Sequence, residues 1–424
     1  MSIANLYPQI RPSLNLDFAN SDRLDPRVTF TRASTATYFD SAGVLTSAAI
    51  NAPRLDYNPS TLAAQGLLIE EQRTNSLPRS AEFDNASWVK TRATVTANTS
   101  TAPDGTTSAD SIVEDGTAAN THDLRQGGVV NSATTNWALS FFLKAVNRTW
   151  ALIELQNATA TSNRARAWFN LQTGVVGTGN AAGSGITYVS HSIQNVGNGW
   201  YRCVVVGTVD VSVTSIQAWV EGTIADNTSN YDGVNGQTSI YVWGAQLEAG
   251  AFPTSHIPTT TPALTRSADV ASVNTLSPWY NASASTLYTE FNTPVPTTVT
   301  NSAVVAGYDD GTANNRFSNF YVSNTGAVAA NQTTAGAANY TITGASGFTL
   351  SSVQKQATRV QAGSYASSVN GAAAVTDSFA SAPPTVNTLR FGLRPSGTQA
   401  NMWLRRVTVY PRGLSNAELQ AITA

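Results

Sequence analysis

Short runs of β-branched and aromatic residues recur along the whole chain, and each run is bounded by Gly, Asn, Asp, Ser or Pro. Stretches with the apolar periodicity of an amphipathic helix are nearly absent. Many short strands separated by turn residues are typical of β-sandwiches and β-barrels. The pattern therefore predicts an all-β protein, and a length of 424 residues allows two or three domains.

The distribution of strands, turns and prolines divides the chain into four parts. We predict an attachment segment at residues 1–75, a jelly roll at 76–265, a linker at 266–278 and a second jelly roll at 279–424. The first part has few apolar runs, so it is strand-poor and packs on a neighbour or a partner chain. The linker follows a Pro- and Thr-rich run, which favours extended backbone. The predicted fold is thus two tandem β-sandwiches after an anchoring segment.

Three local motifs make sharper structural predictions. Gly197-Asn198-Gly199 and Val369-Asn370-Gly371-Ala372 have the composition of tight turns between strands. Ser415 and Glu418 have the spacing of a capping box, which predicts a short helix at the C-terminus.

The charge balance excludes several classes of partner. Charged residues make up only 12% of the chain, and 24 Lys and Arg face 26 Asp and Glu, so we expect no nucleic-acid partner. No apolar run approaches the roughly 20 residues of a membrane span, so we expect no membrane partner. The N-terminal sequence lacks the apolar core of a signal peptide, and the single cysteine, Cys203, lies in a predicted strand as a buried thiol.

No catalytic motif is recognisable in the sequence. His122, His191 and His256 lack a second histidine at metal-ligand spacing, and no phosphate loop, dinucleotide fingerprint or nucleophile elbow is present. A pair of carboxylates for glycoside cleavage can come from anywhere in a chain, so a polysaccharide depolymerase stays open as an alternative. We predict that the protein is not an enzyme.

The most informative pattern lies on three predicted strands of the second part. Successive side chains of a strand point to opposite faces, so one face of each strand is apolar and the other is polar. The polar faces carry indole rings beside side chains that form hydrogen bonds: Glu154, Arg164, Arg166, Trp168, Asn170, Gln217, Trp219 and Glu221. Indole rings stack on the apolar faces of sugars, and planar polar side chains meet the hydroxyls, so we predict a carbohydrate-binding face.

Two alternatives to this interpretation stay open. The same face could pack against another module or subunit, where Trp and Arg are also favoured. A register error of one residue would also exchange the two faces. A weaker hypothesis places structural calcium at Asp104, Asp110 and Glu248, because hard cations prefer oxygen ligands, although we favour an Asx turn without metal for the loop at Asp104. No other cofactor is expected.

Several blocks of sequence resemble a family of phage and prophage structural proteins known as tail-fibre, head-spike or head-fibre proteins. They include LDFANSDRLDPRVTFTRASTATYFDSAGVL, GLLIEEQRTNSL, APDGTTSADSIVEDG, VGNGWYRCVV and IYVWGAQLEAGAFPTSHIPTTTPALTRSADV, and they span roughly residues 14–275. The middle part is similar to carbohydrate-binding modules. The motifs SVNGAAAV, TLRFGL and WLRRVTVYPRGLSNAELQAI give the last part a likeness to concanavalin-A-type, laminin-G-like lectin domains.

This resemblance implies a virion surface protein made in the bacterial cytoplasm, with other virion proteins as partners. It implies recognition of host surface polysaccharide during adsorption, or a purely structural role as a fibre or capsid decoration. It carries over no catalytic residues, and the metal ligands of legume lectins have no match here. Fibres of this kind are commonly oligomeric, and we expect a homotrimer.

Overall fold

A computed structural model describes residues 11–296, 299, 302–345, 347–349, 351–395, 397 and 399–424. Residues 11–75 contain seven short strands: β1 (Leu14–Asp17), β2 (Thr29–Thr31), β3 (Ala36–Phe39), β4 (Leu45–Ala48), β5 (Leu55–Tyr57), β6 (Ala64–Ile69) and β7 (Arg73–Asn75).

The next stretch supplies twelve longer strands: β8 (Val89–Thr91), β9 (Ala93–Ser100), β10 (Ala109–Glu114), β11 (Asp123–Val130), β12 (Thr135–Ala145), β13 (Trp150–Asn157), β14 (Arg164–Asn170), β15 (Val175–Ala182), β16 (Ile186–Asn195), β17 (Trp200–Val209), β18 (Ser215–Thr223) and β19 (Gln237–Ala249).

The remaining strands and a helix complete the chain: β20 (Leu264–Arg266), β21 (Val270–Val273), β22 (Ala284–Asn292), β23 (Ser302–Asp309), β24 (Arg316–Val322), β25 (Ala327–Thr334), β26 (Ala337–Ala345), β27 (Gln354–Gln361), β28 (Tyr365–Val369), β29 (Val375–Asp377), β30 (Thr388–Phe391), β31 (Met402–Tyr410) and α1 (Asn416–Thr423). The all-β prediction is confirmed. No helix in the described ranges has the length and hydropathy needed to cross a bilayer.

The strands β8–β19 form one β-sandwich, which we call the middle sandwich. Its sheet I has the order β15-β14-β13-β18-β11-β8, and its sheet II has the order β16-β17-β12-β19-β10-β9. The apolar faces of both sheets bury a continuous core that includes Ile153, Phe169, Val220 and Leu139. Cys203 lies in this core, as predicted, and burial raises the pKa of its thiol.

A second sandwich combines strands from both ends of the chain, and we call it the composite sandwich. One sheet has the order β29-β28-β27-β22-β31-β6-β5, with β1 also paired to β31, and the other has the order β2-β21-β30-β23-β24-β25-β26. Leu14, Leu16, Leu67 and Ile69 therefore belong to the same core as Leu404 and Val407.

This arrangement corrects the predicted boundaries at residues 75, 266 and 279. The described part of residues 1–75 supplies four strands to the composite sandwich, and residues 1–10 lie outside the described ranges. The predicted linker 266–278 contains β21, a strand inside one sheet. Long-range pairing, such as Leu16 with Val407, leaves no local signal in the sequence.

Gly66 shows how closely the N-terminal strands approach the last strand. Its φ of +108° is rarely adopted by residues with a side chain, and a Cβ placed there would lie 2.4 Å from the carbonyl oxygen of Leu404. Only glycine allows this approach of β6 to β31.

The three local predictions agree with the structure. Asn198 and Asn370 both have positive φ angles in the turns that precede β17 and follow β28. The Ser415 hydroxyl accepts a hydrogen bond from the Glu418 N–H, and the Glu418 carboxylate accepts one from the Ser415 N–H, which completes the capping box of α1.

A polar pocket on the outer face of sheet I

The outer face of sheet I brings the predicted sugar-binding residues together. The strand register places Glu154 of β13 between Arg166 and Trp219, its neighbours on β14 and β18. Trp219 in turn lies beside Arg125 of β11. These four side chains therefore form a row across four strands, in the order Arg166, Glu154, Trp219 and Arg125. This confirms the predicted assignment of the two faces, because Ala167, Ala218 and Ile153 point into the core instead.

A pocket of about 200 Å³ opens on this face, and we call it the polar pocket. Its floor comes from β8, β11, β13, β14 and β18, and its walls come from neighbouring loops. The lining residues are Thr91, Arg92, Thr121, Asp123, Arg125, Glu154, Gln156, Thr161, Arg164, Trp219, Ser229 and Asn230. Every one carries a side chain that can donate or accept hydrogen bonds, and Trp219 adds an aromatic ring.

The exposure predicted for the two tryptophans is wrong. Trp168 is completely buried and Trp219 is only 5% exposed, and both pack with Leu152 and Trp150 on the outer side of sheet I. Trp168 is covered on one side by the Arg166 guanidinium, whose central carbon lies 4.7 Å from the ring centroid. Trp219 keeps an edge in the wall of the polar pocket, whereas Trp168 does not line it.

The cover comes from the loop of residues 224–236, which connects β18 to β19. The Trp168 indole N–H donates to the Thr228 carbonyl at 2.9 Å. The loop is also held at Asp226, whose carboxylate accepts from the Thr178 N–H at 2.7 Å, and at Tyr231, whose backbone exchanges two hydrogen bonds with Asn120. Ser229 and Asn230 reach the pocket from this loop, so one segment buries Trp168 and builds a pocket wall.

Two carboxylates in the pocket floor are unusually well shielded from water. Burial raises the pKa of Glu154, although Arg164 and a hydrogen bond from Gln156 oppose this shift. Burial also raises the pKa of Asp123, which accepts a hydrogen bond from the Thr121 hydroxyl at 3.0 Å. The other oxygen of Asp123 has no hydrogen-bond partner within the described residues. This oxygen has almost no exposed surface, so it is a buried acceptor without a partner rather than one open to a ligand.

Glu221 has no exposed surface, which corrects its predicted contact with a ligand. It lies beside Asp123 in the register, and one of its oxygens accepts the His122 N–H at 3.0 Å. Burial raises its pKa well above the ordinary value, and the nearby charges of Asp123 and Glu154 add to that effect. It lies beside the pocket residue Asp123 but does not line the pocket.

The other predicted residues have structural partners. The Asn170 carboxamide oxygen accepts the N–H groups of Gln172 and Thr173 in the turn after β14. Arg166 donates to Asn180 at 2.8 Å, and Gln217 is buried and donates to Gln156. Of the eight residues predicted to bind sugar, Glu154, Arg164 and Trp219 line the polar pocket.

Sequence reasoning missed Asp123, Arg125 and the two loop residues of the pocket. Asp123 and Arg125 flank Leu124, which is buried in the core, so strand alternation could have found them once β11 was identified. Ser229 and Asn230 lie in a loop, where no periodicity indicates which residues face a neighbouring sheet.

The predicted calcium ligands do not come together. Asp110 of β10 pairs with Val242, which lies near the middle of β19, whereas Glu248 lies near the C-terminal end of β19. Glu248 accepts hydrogen bonds from both the N–H and the hydroxyl of Thr254, and Asp104 accepts the Thr106 N–H in an Asx turn. No group of three His, Cys, Asp or Glu side chains within the described ranges could hold a metal ion.

A larger cavity of about 810 Å³ lies between the two sandwiches. Aromatic side chains such as Phe39, Phe252 and Trp403 line it, but it contains none of the eight residues predicted to bind sugar. In its wall, the Asp56 carboxylate accepts the Trp403 indole N–H at 2.7 Å, and burial raises the pKa of Asp56 to about 6.

Comparisons with known proteins give limited information. No family model and no curated protein matches the sequence. One solved structure similar to this chain is the CBM40 of a Ruminococcus gnavus sialidase bound to α2,3-sialyllactose. The two sequences are 18% identical, and the TM-score is 0.29. The match covers 34% of this chain and 84% of the CBM40 chain. Domains LG4-5 of the mouse laminin α1 chain have 9% identity, cover 70% of this chain and 86% of their own, and give a TM-score of 0.25.

A third similar structure is Trypanosoma rangeli sialidase, with 11% identity, 74% of this chain and 60% of that chain covered, and a TM-score of 0.28. At these TM-scores, none of the similarities identifies a ligand or an activity of this chain.

Proposed function

We propose that the chain binds carbohydrate in the polar pocket. The observation that supports this proposal is the lining itself: all twelve lining side chains can form hydrogen bonds, and one of them, the indole of Trp219, also has an apolar ring. Sugar recognition needs this combination, because hydroxyls require donors and acceptors while the ring carbons require an apolar surface. The pocket is smaller than typical sites for drug-sized ligands, so it suits one sugar unit rather than a long chain.

The biological setting of this proposal is a virion fibre or spike that attaches to bacterial surface polysaccharide. It rests on the sequence blocks that resemble phage tail-fibre and head-spike proteins. Contacts with one sugar unit are weak, so useful attachment requires several copies on one particle. Sedimentation of the purified chain tests the expected trimer, and a monomer at micromolar concentration would contradict it.

A glycan array probed with the full-length chain tests sugar binding. We expect Trp219→Phe to weaken binding by at most about tenfold, since the smaller phenyl ring loses part of a stacking contact that contributes about 0.5–1.5 kcal/mol. Trp150→Phe is the matched control, because Trp150 packs against the same buried cluster but does not line the pocket. Equal losses in both variants, or no binding by the wild-type chain, would contradict the proposal.

Polysaccharide cleavage is a second candidate function, favoured by one observation. Glu154 and Asp123 both line the pocket, and a raised pKa suits a carboxyl group that donates a proton to a leaving oxygen. Release of reducing ends from host polysaccharide, abolished by Glu154→Gln, would support cleavage. Binding without such release would support recognition alone.

A further inference from the structure

The charges around the polar pocket are unevenly matched. Three arginines and two carboxylates line it, which leaves a formal excess of one positive charge (three minus two) when all are ionised. Outside the lining, Glu221 beside Asp123 and Arg166 beside Glu154 add one charge of each sign when both are ionised, so the excess stays the same. The two lining carboxylates, Asp123 and Glu154, have raised pKa values, so proton uptake by either would increase the excess.

Arg125 is the lining arginine with the fewest partners, although its charge opposes the rise in the pKa of Asp123. Arg92 donates to the carbonyl and the hydroxyl of Thr121, both at 2.7 Å, and the Arg164 Nε lies 3.6 Å from a Glu154 oxygen. The Arg125 guanidinium, in contrast, has no hydrogen bond and no carboxylate within 4 Å among the described residues. It is partly exposed and lies beside Trp219 in the strand register.

We infer that the sugar unit bound in the polar pocket carries an anionic group, a carboxylate or an acidic ester, that pairs with Arg125. The inference rests on the proposed function. A guanidinium presents parallel N–H groups that match the two oxygens of a carboxylate, and the neighbouring Trp219 would contact the sugar ring. The expected ligand is therefore an acidic sugar, such as a hexuronic acid within a polysaccharide.

Matched sugar pairs on a multivalent array test this inference with the full-length chain. The probes are D-glucuronate against D-glucose, D-galacturonate against D-galactose, and glucose 6-sulfate as an acidic ester. We expect an acidic sugar to bind about tenfold more strongly than its neutral partner, because a hydrogen-bonded charge pair contributes that much. The preference should decrease as salt concentration rises.

Variants at Arg125 provide the second part of the experiment. Arg125→Gln should remove the preference, so that the ratio of acidic to neutral binding falls to about one. Arg125→Lys should retain part of the preference, because it keeps the charge but loses the paired donors. Arg23→Gln is the control, since Arg23 is exposed and lies outside the pocket. Binding of the sulfate ester equal to that of the uronates supports a charge contact, and stronger uronate binding supports paired contacts.

The outcomes separate the inference from the proposed function. Equal binding of acidic and neutral sugars, or an acidic preference that survives Arg125→Gln, overturns the inference and leaves sugar binding in place. Failure of every sugar to bind overturns both.

Discussion

Glu221 is an ionisable side chain with no exposed surface, and it lies close to two other carboxylates. Its folded-state pKa is raised above the unfolded value, so the folded chain holds a proton there more tightly than the unfolded chain does. The resulting stabilisation is fully present below the unfolded pKa, about 4.3, and is lost as pH rises through the folded pKa.

Glu221→Gln should therefore reduce the loss of unfolding free energy that wild type shows as the pH rises above about 4.3. Gln keeps a carbonyl oxygen for the His122 N–H and removes the titration. The difference from wild type should grow by at most about 1.4 kcal/mol per pH unit across the range in which Glu221 titrates. Urea unfolding at pH 5 and pH 8 measures it, and parallel pH profiles of the two proteins would contradict the assignment.

Residue-scale features of the site were only partly predictable from the sequence. Alternation placed Trp168 and Trp219 on the correct face of their strands, because that face is decided by the apolar neighbours within each strand. Alternation could not reveal their burial, since the cover comes from Thr228 and its loop. An outward-facing tryptophan in a strand can thus be a support for a neighbouring loop.

At the scale of elements, a buried ion network joins the N-terminal strands to the segment after β20. Asp269 accepts from Arg32 at 3.1 Å and from Arg54 at 2.5 Å, and Arg54 also contacts Glu70 at 2.7 Å. Burial opposes ionisation of Glu70, but the charges of Arg266 and Arg54 outweigh it and lower the pKa of Glu70 to about 2.

Asp269→Asn should destabilise the protein by about 3–5 kcal/mol, because it leaves buried guanidinium groups without a counter-charge. Asp25→Asn is the matched control. It removes a partner of Arg27 in a pair whose side chains are 44% and 25% exposed, so the loss should stay below about 1 kcal/mol. Similar shifts in the urea midpoint for both variants would contradict a special role for the buried network.

Local features of these elements were predictable from the sequence, but the pairing of distant strands was not. The turn at Asn198 and the capping box of α1 were predictable because their signals lie within a few residues. The partners of β1 were not, because Asp17 and Arg406, which form an ion pair, are 389 residues apart in the sequence.

At the scale of the whole molecule, the composite sandwich makes both ends of the chain one folding unit. Strands β1 and β6 cover one edge of β31, and without them Leu404 and Val407 would lose core neighbours. We expect residues 279–424 alone to lack cooperative unfolding, and residues 11–75 to restore part of it when both fragments are mixed. Circular dichroism during heating measures this, and a sharp transition of the isolated fragment would contradict it.

The position of bound sugar decides between the polar pocket and the cavity between the two sandwiches. A crystal structure of the full-length chain with an acidic oligosaccharide should show one sugar unit in the polar pocket, with its anionic group at Arg125 and its ring against Trp219. A sugar bound only in the cavity between the sandwiches, near Phe252 and Trp403, would contradict the assignment of the site.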